Sequence, residues 1–243
     1  MNHQDKRAMP AGRKLLIIGA ACAALLIIGA VSISVGTIKF SFHEVLSCLL
    51  HNSTADMASR IIKNIRGPRI INGFLVGMNI AVAGVLLQAI LRNPMASPNI
   101  IGVNTGAGLA AVVIMTIVPE KMQYIPIAAF IGAMGASFLI FALSVQKSGH
   151  TATVHIVLAG VAVSALLRAV TNGIMMINSD VLDITFSWTL GSLSGRSWPT
   201  VSLILPYSLI GMAAALFISP KVNLFSLGDE MASSIGLKTG LYR

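Results

Sequence analysis

Long apolar runs separated by short polar segments dominate this sequence. Six runs, each with at most one charged residue, are long enough to cross the ~30 Å hydrocarbon layer of a membrane as helices. They cover residues 15–35, 70–91, 100–118, 122–146, 154–176 and 201–218. The first run is longer than the apolar part of a signal peptide and further runs follow it, which indicates a retained helix. The pattern predicts an all-α, polytopic membrane protein with six transmembrane helices.

Composition and charge agree with a membrane protein. Of the 243 residues, 55% are hydrophobic and 10% are charged, against about 25% charged in a typical soluble domain. This excludes a soluble globular domain, a disordered chain and a coiled coil. Four of the basic residues behind the net charge of +9 precede residue 15, so the positive-inside rule predicts a cytoplasmic N-terminus. In that orientation a basic cluster from Arg60 to Arg69 lies outside the cell.

Motifs of enzymes are missing from the sequence. It has no G-x-x-x-x-G-K-[ST] phosphate loop, no H-E-x-x-H zinc motif and no G-x-S-x-G nucleophile motif. Cys22 and Cys48 provide no disulfide framework. These absences are consistent with the expectation of a protein that is not itself an enzyme, with no catalytic, metal-binding or cofactor-binding residues and no nucleic-acid partner.

The segment that follows the second run has a distinctive composition. From Gly84 to Ala107 it reads G-V-L-L-Q-A-I-L-R-N-P-M-A-S-P-N-I-I-G-V-N-T-G-A. The two prolines prevent the helix from continuing. The residues that we expect to form a cytoplasmic turn motif here are Gln88, Asn93, Pro94, Pro98 and Gly102.

Four further segments of the sequence contribute to a resemblance to a known protein family. They read I-R-G-P-R at 65–69, L-A-G-V-A at 158–162, W-T-L-G-S at 188–192 and L-G-D-E-M-A-S-S-I-G at 227–236. Together with the turn motif they resemble the membrane permeases of ABC importers for iron-siderophores, heme or vitamin B12, the FecCD/BtuC type. The resemblance runs from about Arg66 to Arg243, with Met95, Ile101 and Gly67 among the departures from the usual residues.

This resemblance implies a fold and a function. Permeases of this type (type II ABC importers) have ten helices, so the chain is expected to be a single permease domain over 1–243 that carries six of ten and is incomplete at its C-terminus. The implied function is the membrane-spanning subunit of an ATP-driven importer, for iron(III)-siderophore complexes, that works by alternating access in the bacterial cytoplasmic membrane. The implied partners are an ATP-binding ABC subunit, an extracytoplasmic substrate-binding protein and a second permease subunit.

The resemblance also assigns roles to two sets of residues. Arg66 and Arg69 match arginines that receive acidic residues of the binding protein; the rival interpretation is a cluster that is solvated or anchored to lipid headgroups. The segment 224–243 matches the cytoplasmic region that couples the permease to its ATPase, and the rival is an amphipathic helix on the membrane surface. The expected coupling residues are Leu227, Gly228, Asp229, Glu230, Ala232, Ile235 and Gly236.

Arg168 is the one charge inside the six runs. A charge within the membrane is costly and usually faces the bundle interior or water. Because the fifth helix lines the pathway in the resembling family, Arg168, with Ser164 and Asn172, is a pathway candidate; the alternative is an ion pair or carbonyl contacts inside the bundle. An ion- or proton-coupled secondary transporter is the alternative function. The absence of Asp and Glu from all six runs argues against it, because proton relays usually use them.

Overall fold

The computed structural model describes residues 10–50, 57–144, 153–178 and 182–225, with Met231 and Ser234. Throughout these residues the ordered elements are helices, and no β-strand occurs among them. A π-helix covers Ile61–Arg66 and a 3₁₀-helix covers Pro119–Tyr124. The α-helices are α1 (Ala11–Ser34), α2 (Phe42–Leu50), α3 (Met57–Arg60), α4 (Gly67–Leu91), α5 (Pro98–Ile101), α6 (Val103–Ile117), α7 (Ile125–Ser144), α8 (Thr153–Ile177), α9 (Leu182–Leu190) and α10 (Trp198–Leu224).

Within the described residues, the apolar runs of the sequence fall on helical stretches. Among the residues that the structure describes, five helical stretches are long and apolar enough to cross a membrane, namely Ala11–Ser34, Met57–Leu91, Pro119–Ser144, Val154–Ile177 and Trp198–Leu224. The run predicted over 100–118 is shorter as a helix, because Gly102 separates α5 from α6. With 15 residues, α6 extends about 22 Å at 1.5 Å per residue.

Helix starts follow the local chemistry of proline and of the caps. Pro126 lies in the first turn of α7, where its missing N–H leaves no helical hydrogen bond unmade. Helix α2, which lies outside the six apolar runs, begins with a capping box. The Ser41 N–H donates to Glu44 Oε2 at 2.8 Å, and the Glu44 N–H donates to Ser41 Oγ at 3.2 Å.

The chain divides into two compact units, each with its own core. The first unit contains the chain up to Leu75 and Leu193–Leu205. Its core comprises Val45, Cys48 and Ile62, with Ile33, Phe40 and Ala58 packed against them. The second unit contains Val76–Ser192 and the chain from Pro206 onward. One of its clusters comprises Leu91, Ala96, Ile140, Ile156 and Val163.

The π-helix widens a single continuous helical stretch that runs from Met57 to Leu91. Pro68 lies two residues after the end of the π-helix and is fully buried. A proline ring clashes with the carbonyl four residues earlier, which here belongs to Asn64, within the π-helix. The wider turn avoids this clash and also places the Lys63 carbonyl where Trp198 Nε1 donates to it at 3.0 Å.

Candidate functional site

The turn after α4 is built almost wholly from its own residues. Arg92 ends the helix with a φ of 51°. The Arg92 N–H donates to the Ala89 carbonyl at 3.3 Å and the Asn93 N–H donates to the Gln88 carbonyl at 3.2 Å. This is the Schellman pattern of hydrogen bonds, with arginine where glycine is usual.

Asn93 continues the turn by capping it with its side chain. Its Oδ1 accepts from the Met95 N–H at 2.9 Å, and its carbonyl accepts from the Ala96 N–H at 3.0 Å. Ala96 is buried in the core of the second unit, whereas the Gln88 and Pro94 side chains are exposed. Of the predicted turn residues, Asn93 therefore shapes the loop, and Gln88 and Pro94 present side chains to its surroundings.

Gly102 separates α5 from α6 and contacts α8. Pro98 occupies the first position of α5, and Gly102 follows the helix with a φ of 84°. Its carbonyl accepts from the Thr105 N–H at 3.1 Å and from Thr105 Oγ1 at 2.6 Å. A Cβ on Gly102 would overlap Ser164 Oγ, so glycine is needed both for the conformation and for the space.

Helices α6 and α7 pack backbone against backbone. A Cβ on Gly106 would overlap the Gly132 carbonyl oxygen and lie 2.5 Å from Ala136 Cβ, and a Cβ on Gly132 would overlap the Gly106 carbonyl oxygen. Small residues at helix contacts allow this approach in lipid, where van der Waals packing drives association. The turn motif thus leads into a rigid helix pair.

The three pathway candidates lie at four-residue spacing on α8 but differ in burial. Ser164 is buried, and its Oγ donates to the Gly160 carbonyl at 2.5 Å. Arg168 and Asn172, one and two turns further along, are exposed. Among the residues that the structure describes, neither side chain has an ion-pair or hydrogen-bond partner. Ser164 is brought against Gly102 of the turn motif.

The two arginines of the I-R-G-P-R segment have different surroundings. Arg66, at the end of the π-helix, is half-buried, and its guanidinium donates to the carbonyls of Ile33 and Ile38. The same group lies 4.9 Å above the centre of the Phe40 ring. Arg69, on the first turn of α4, is exposed, and its side chain makes no hydrogen bond within the described ranges.

Some predicted residues lie outside the described part of the chain, and some contacts in the structure had no signal in the sequence. The predicted coupling residues Leu227, Gly228, Asp229, Glu230, Ala232, Ile235 and Gly236 lie outside the described residues. The structure adds the carbonyl partners of Arg66 and the contact of Trp198 with Lys63, which no motif indicated. The Ser41–Glu44 capping box was readable as S-x-x-E before an apolar segment and would have predicted α2.

The fold matches that of a solved transporter. A structure described as a metal-chelate type ABC transporter in an inward-facing conformation superimposes with a TM-score of 0.75, at 23% sequence identity. The match covers 93% of this chain and 70% of that chain. Residues 24–243 match the FecCD transport family. The chain belongs to the FecCD transport family, which confirms the resemblance drawn from the sequence motifs.

Curated relatives come from bacteria and an archaeon. The chain is 35% identical over 225 residues to the Fe(3+)-citrate import system permease protein YfmE of Bacillus subtilis, covering 92% of this chain and 66% of the relative. It is 37% identical over 182 residues to the cobalamin import system permease protein BtuC of Halobacterium salinarum, covering 75% of this chain and 49% of the relative. It is 35% identical over 231 residues to the ferric enterobactin transport system permease protein FepD of Escherichia coli, covering 95% of this chain and 67% of the relative. The chain thus spans about half to two thirds of these relatives.

Proposed function

We propose that this chain is the membrane-spanning permease subunit of an ATP-driven importer whose cargo is an iron(III)-siderophore complex. The observation that carries the proposal is the family match over residues 24–243, which includes the glycine-dependent turn from Asn93 to Gly106. The relatives YfmE and FepD are named for the import of ferric chelates and BtuC for cobalamin. We choose iron as the cargo because YfmE and FepD, two of the three relatives, are named for ferric chelates.

In this proposal the chain works with three protein partners in the bacterial cytoplasmic membrane. ATP is hydrolysed in a separate ABC subunit, a second permease subunit completes the pore, and a substrate-binding protein delivers the chelate from outside. The N-terminus lies in the cytoplasm, and residues 224–243 transmit the movement of the ATPase. The close contact of Gly106 with Gly132 supports alternating access by rigid-body movement, because α6 and α7 pack too tightly to slide separately.

The helix end that carries Arg66 and Arg69 is proposed as the docking site for the binding protein. Arginine pairs with carboxylates in a bidentate, geometrically specific way. Charge reversal of both residues, R66E with R69E, should abolish delivery of the chelate by the binding protein. Unchanged uptake by that variant would remove the docking assignment.

Arg168 and Asn172 are proposed to face the translocation pathway. Both are exposed in the single chain, and Arg168 lies in the middle of a 25-residue apolar helix. A charge at such a depth requires water, a counter-charge or protein around it, and an anionic ferric chelate supplies the counter-charge. Normal transport by R168A would count against this role, with N172A as the uncharged comparison.

Uptake in cells tests the proposed function. The gene for this chain is deleted, and uptake of radiolabelled ferric citrate and ferric enterobactin is measured before and after the gene is returned on a plasmid. We expect energy-dependent uptake of at least one ferric chelate to fall to background and then recover. Full uptake of both chelates by the deletion strain, with loss of cobalamin uptake instead, would contradict the assignment of iron as cargo.

A further inference from the structure

A groove with a volume of about 470 Å³ lies within the first unit of the chain. Ile33 in the last turn of α1 and Trp198 at the start of α10 line it, as does Ile70, at which the apolar run of α4 begins. The points where apolar helices begin and end mark the depth at which hydrocarbon gives way to headgroups and water. The groove therefore lies at a membrane surface, and its volume is within the range of about 300–1,000 Å³ that is usual for small-molecule sites.

The groove combines an apolar wall with polar groups. Four isoleucines form the apolar wall, namely Ile33, Ile62, Ile70 and Ile71. Lys63 and Asn64 of the π-helix line the same groove, about two turns before Ile70 and Ile71. From Lys63 to Ile71 the chain advances about 12 Å at 1.5 Å per residue. A ligand that lies along α4 thus meets a cation and an amide first and hydrocarbon further on.

Trp198 and Gly67 shape the space between the π-helix and α10. Trp198 Nε1 donates to the Lys63 carbonyl at 3.0 Å, which fixes the ring beside the π-helix, yet the residue is 46% exposed. Gly67 leaves room in front of the ring, because a Cβ there would lie 3.9 Å from Trp198 Cζ2. Tryptophan is enriched at membrane–water interfaces, where its amphipathic ring lies at the level of the headgroups.

The chain that surrounds the groove is basic. Residues 36–69, which join α1 to the apolar run of α4, carry five basic and two acidic side chains, a net charge of +3. Ion pairs within this segment leave its net charge unchanged. Basic residues beside a membrane attract anionic headgroups. A small anion would leave the four isoleucines in contact with water, and a neutral lipid would leave the charge without a partner. An anionic amphiphile satisfies both.

We propose that this groove binds one anionic phospholipid, with its phosphate beside Lys63 and Trp198 and one acyl chain along Ile70 and Ile71. The described residues that line the groove do not include Arg66 or Arg69. The site goes beyond the proposed function and depends neither on the cargo nor on the protein partners. A lipid held there contacts α1, α4 and α10 at once, and it stabilises the ends of these helices against one another.

Trp198 is a native reporter of this lipid, because the sequence has only one other tryptophan, Trp188. The full chain carrying W188F is reconstituted in phosphatidylcholine vesicles with increasing fractions of brominated phosphatidylglycerol or, separately, of brominated phosphatidylcholine. Bromine quenches tryptophan fluorescence on contact. We expect half-maximal quenching at an about tenfold lower fraction of the anionic lipid than of the zwitterionic one, because several basic residues favour it.

Matched variants locate the headgroup and the acyl chain. K63Q should reduce the preference for the anionic lipid about fivefold, the effect of one basic residue near the headgroup. K39Q removes the same charge from an exposed residue outside the groove and should leave the preference nearly unchanged. I71F fills part of the groove and should weaken quenching by the anionic lipid about fivefold, whereas I65F, at an exposed position on the π-helix, should not.

Three results would overturn the lipid site. Equal quenching by the two lipids would indicate ordinary contact with the surrounding bilayer. Quenching by neither would indicate that a second copy or another protein covers the groove. A preference that survives in both K63Q and I71F would place the lipid elsewhere. If W188F does not accumulate, the difference in fluorescence between the wild type and W198F, which both keep Trp188, gives the Trp198 signal. A selective site in a chain that supports no ferric uptake would refute the proposed function and leave the lipid site standing.

Discussion

The turn from Leu91 to Thr105 and the arginine segment from Ile61 to Arg69 both lie within the range that matches the FecCD transport family, but they are held together differently. In the turn, backbone hydrogen bonds join residues at most five apart, such as Asn93 to Gln88. In the arginine segment, Arg66 reaches partners 28 and 33 residues away. Glycine and asparagine determine the first region through local backbone chemistry, whereas one long side chain determines the second. Substitutions in the two regions should therefore destabilise the protein for different reasons.

The largest loss of stability is expected where the turn leads into the contact between α6 and α7. G106A places a Cβ against the backbone of Gly132, and overpacking of this kind should lower the free energy of unfolding by about 3 kcal/mol. G108A on the same helix is the matched control, because a Cβ there meets nothing within 4 Å. The thermal midpoints of the purified variants in detergent measure the difference. Equal midpoints for G106A and G108A would contradict the close approach of the two helices.

A smaller effect is expected at Gly102, where conformation and contact both act. An alanine at a φ of 84° costs about 1–2 kcal/mol, and overlap with Ser164 Oγ adds to it. The double variant G102A with S164A should regain the stability lost to the overlap with Ser164 Oγ, but not the stability lost to the positive φ. Full recovery in the double variant would show that the positive φ contributes nothing. The single variant S164A provides the reference midpoint.

In the arginine segment, W198F should have a moderate effect. It removes the Nε1–H that donates to the Lys63 carbonyl on the π-helix, and a single hydrogen bond contributes about 1 kcal/mol. W188F in the second unit is the comparison, because Trp188 packs against Ala111, Met115 and Ile125 there. The thermal midpoints of both variants are measured, and a W198F midpoint equal to that of the wild type would contradict a stabilising role for the Lys63 contact.

The smallest effect is expected for N93A in the turn. It removes the Oδ1 that accepts from the exposed Met95 N–H, and water can replace such an acceptor, so the loss should be about 0.5 kcal/mol. N93D keeps the acceptor and should match the wild type. If N93A were as damaging as G102A, the turn would depend on its side-chain cap rather than on its glycine.

The sequence predicted the parts of the fold that depend on local pattern. Apolar runs indicated the five long helical stretches and the shorter α6. Asn93, Pro94 and Pro98 indicated the turn, because proline and asparagine impose their conformations within a few residues. Gly102 was predicted for the turn, although its contact with Ser164 required the fold. The partners of Arg66 could not be predicted, since nothing near Ile33 or Ile38 in the sequence marks an unpaired carbonyl. The π-helix had a signal in Pro68, but a proline alone does not distinguish a wider turn from a kink.

Transport in proteoliposomes tests the central claim most directly. The transporter is reconstituted with its ATPase subunit facing outward, and ferric citrate with its binding protein is enclosed inside, so that ATP added outside drives release of the chelate from the vesicle. The account expects transport only with hydrolysable ATP and only when the ATPase subunit is present. Transport at the same rate without the ATPase subunit, driven by a proton or ion gradient, would contradict it and would identify a secondary transporter.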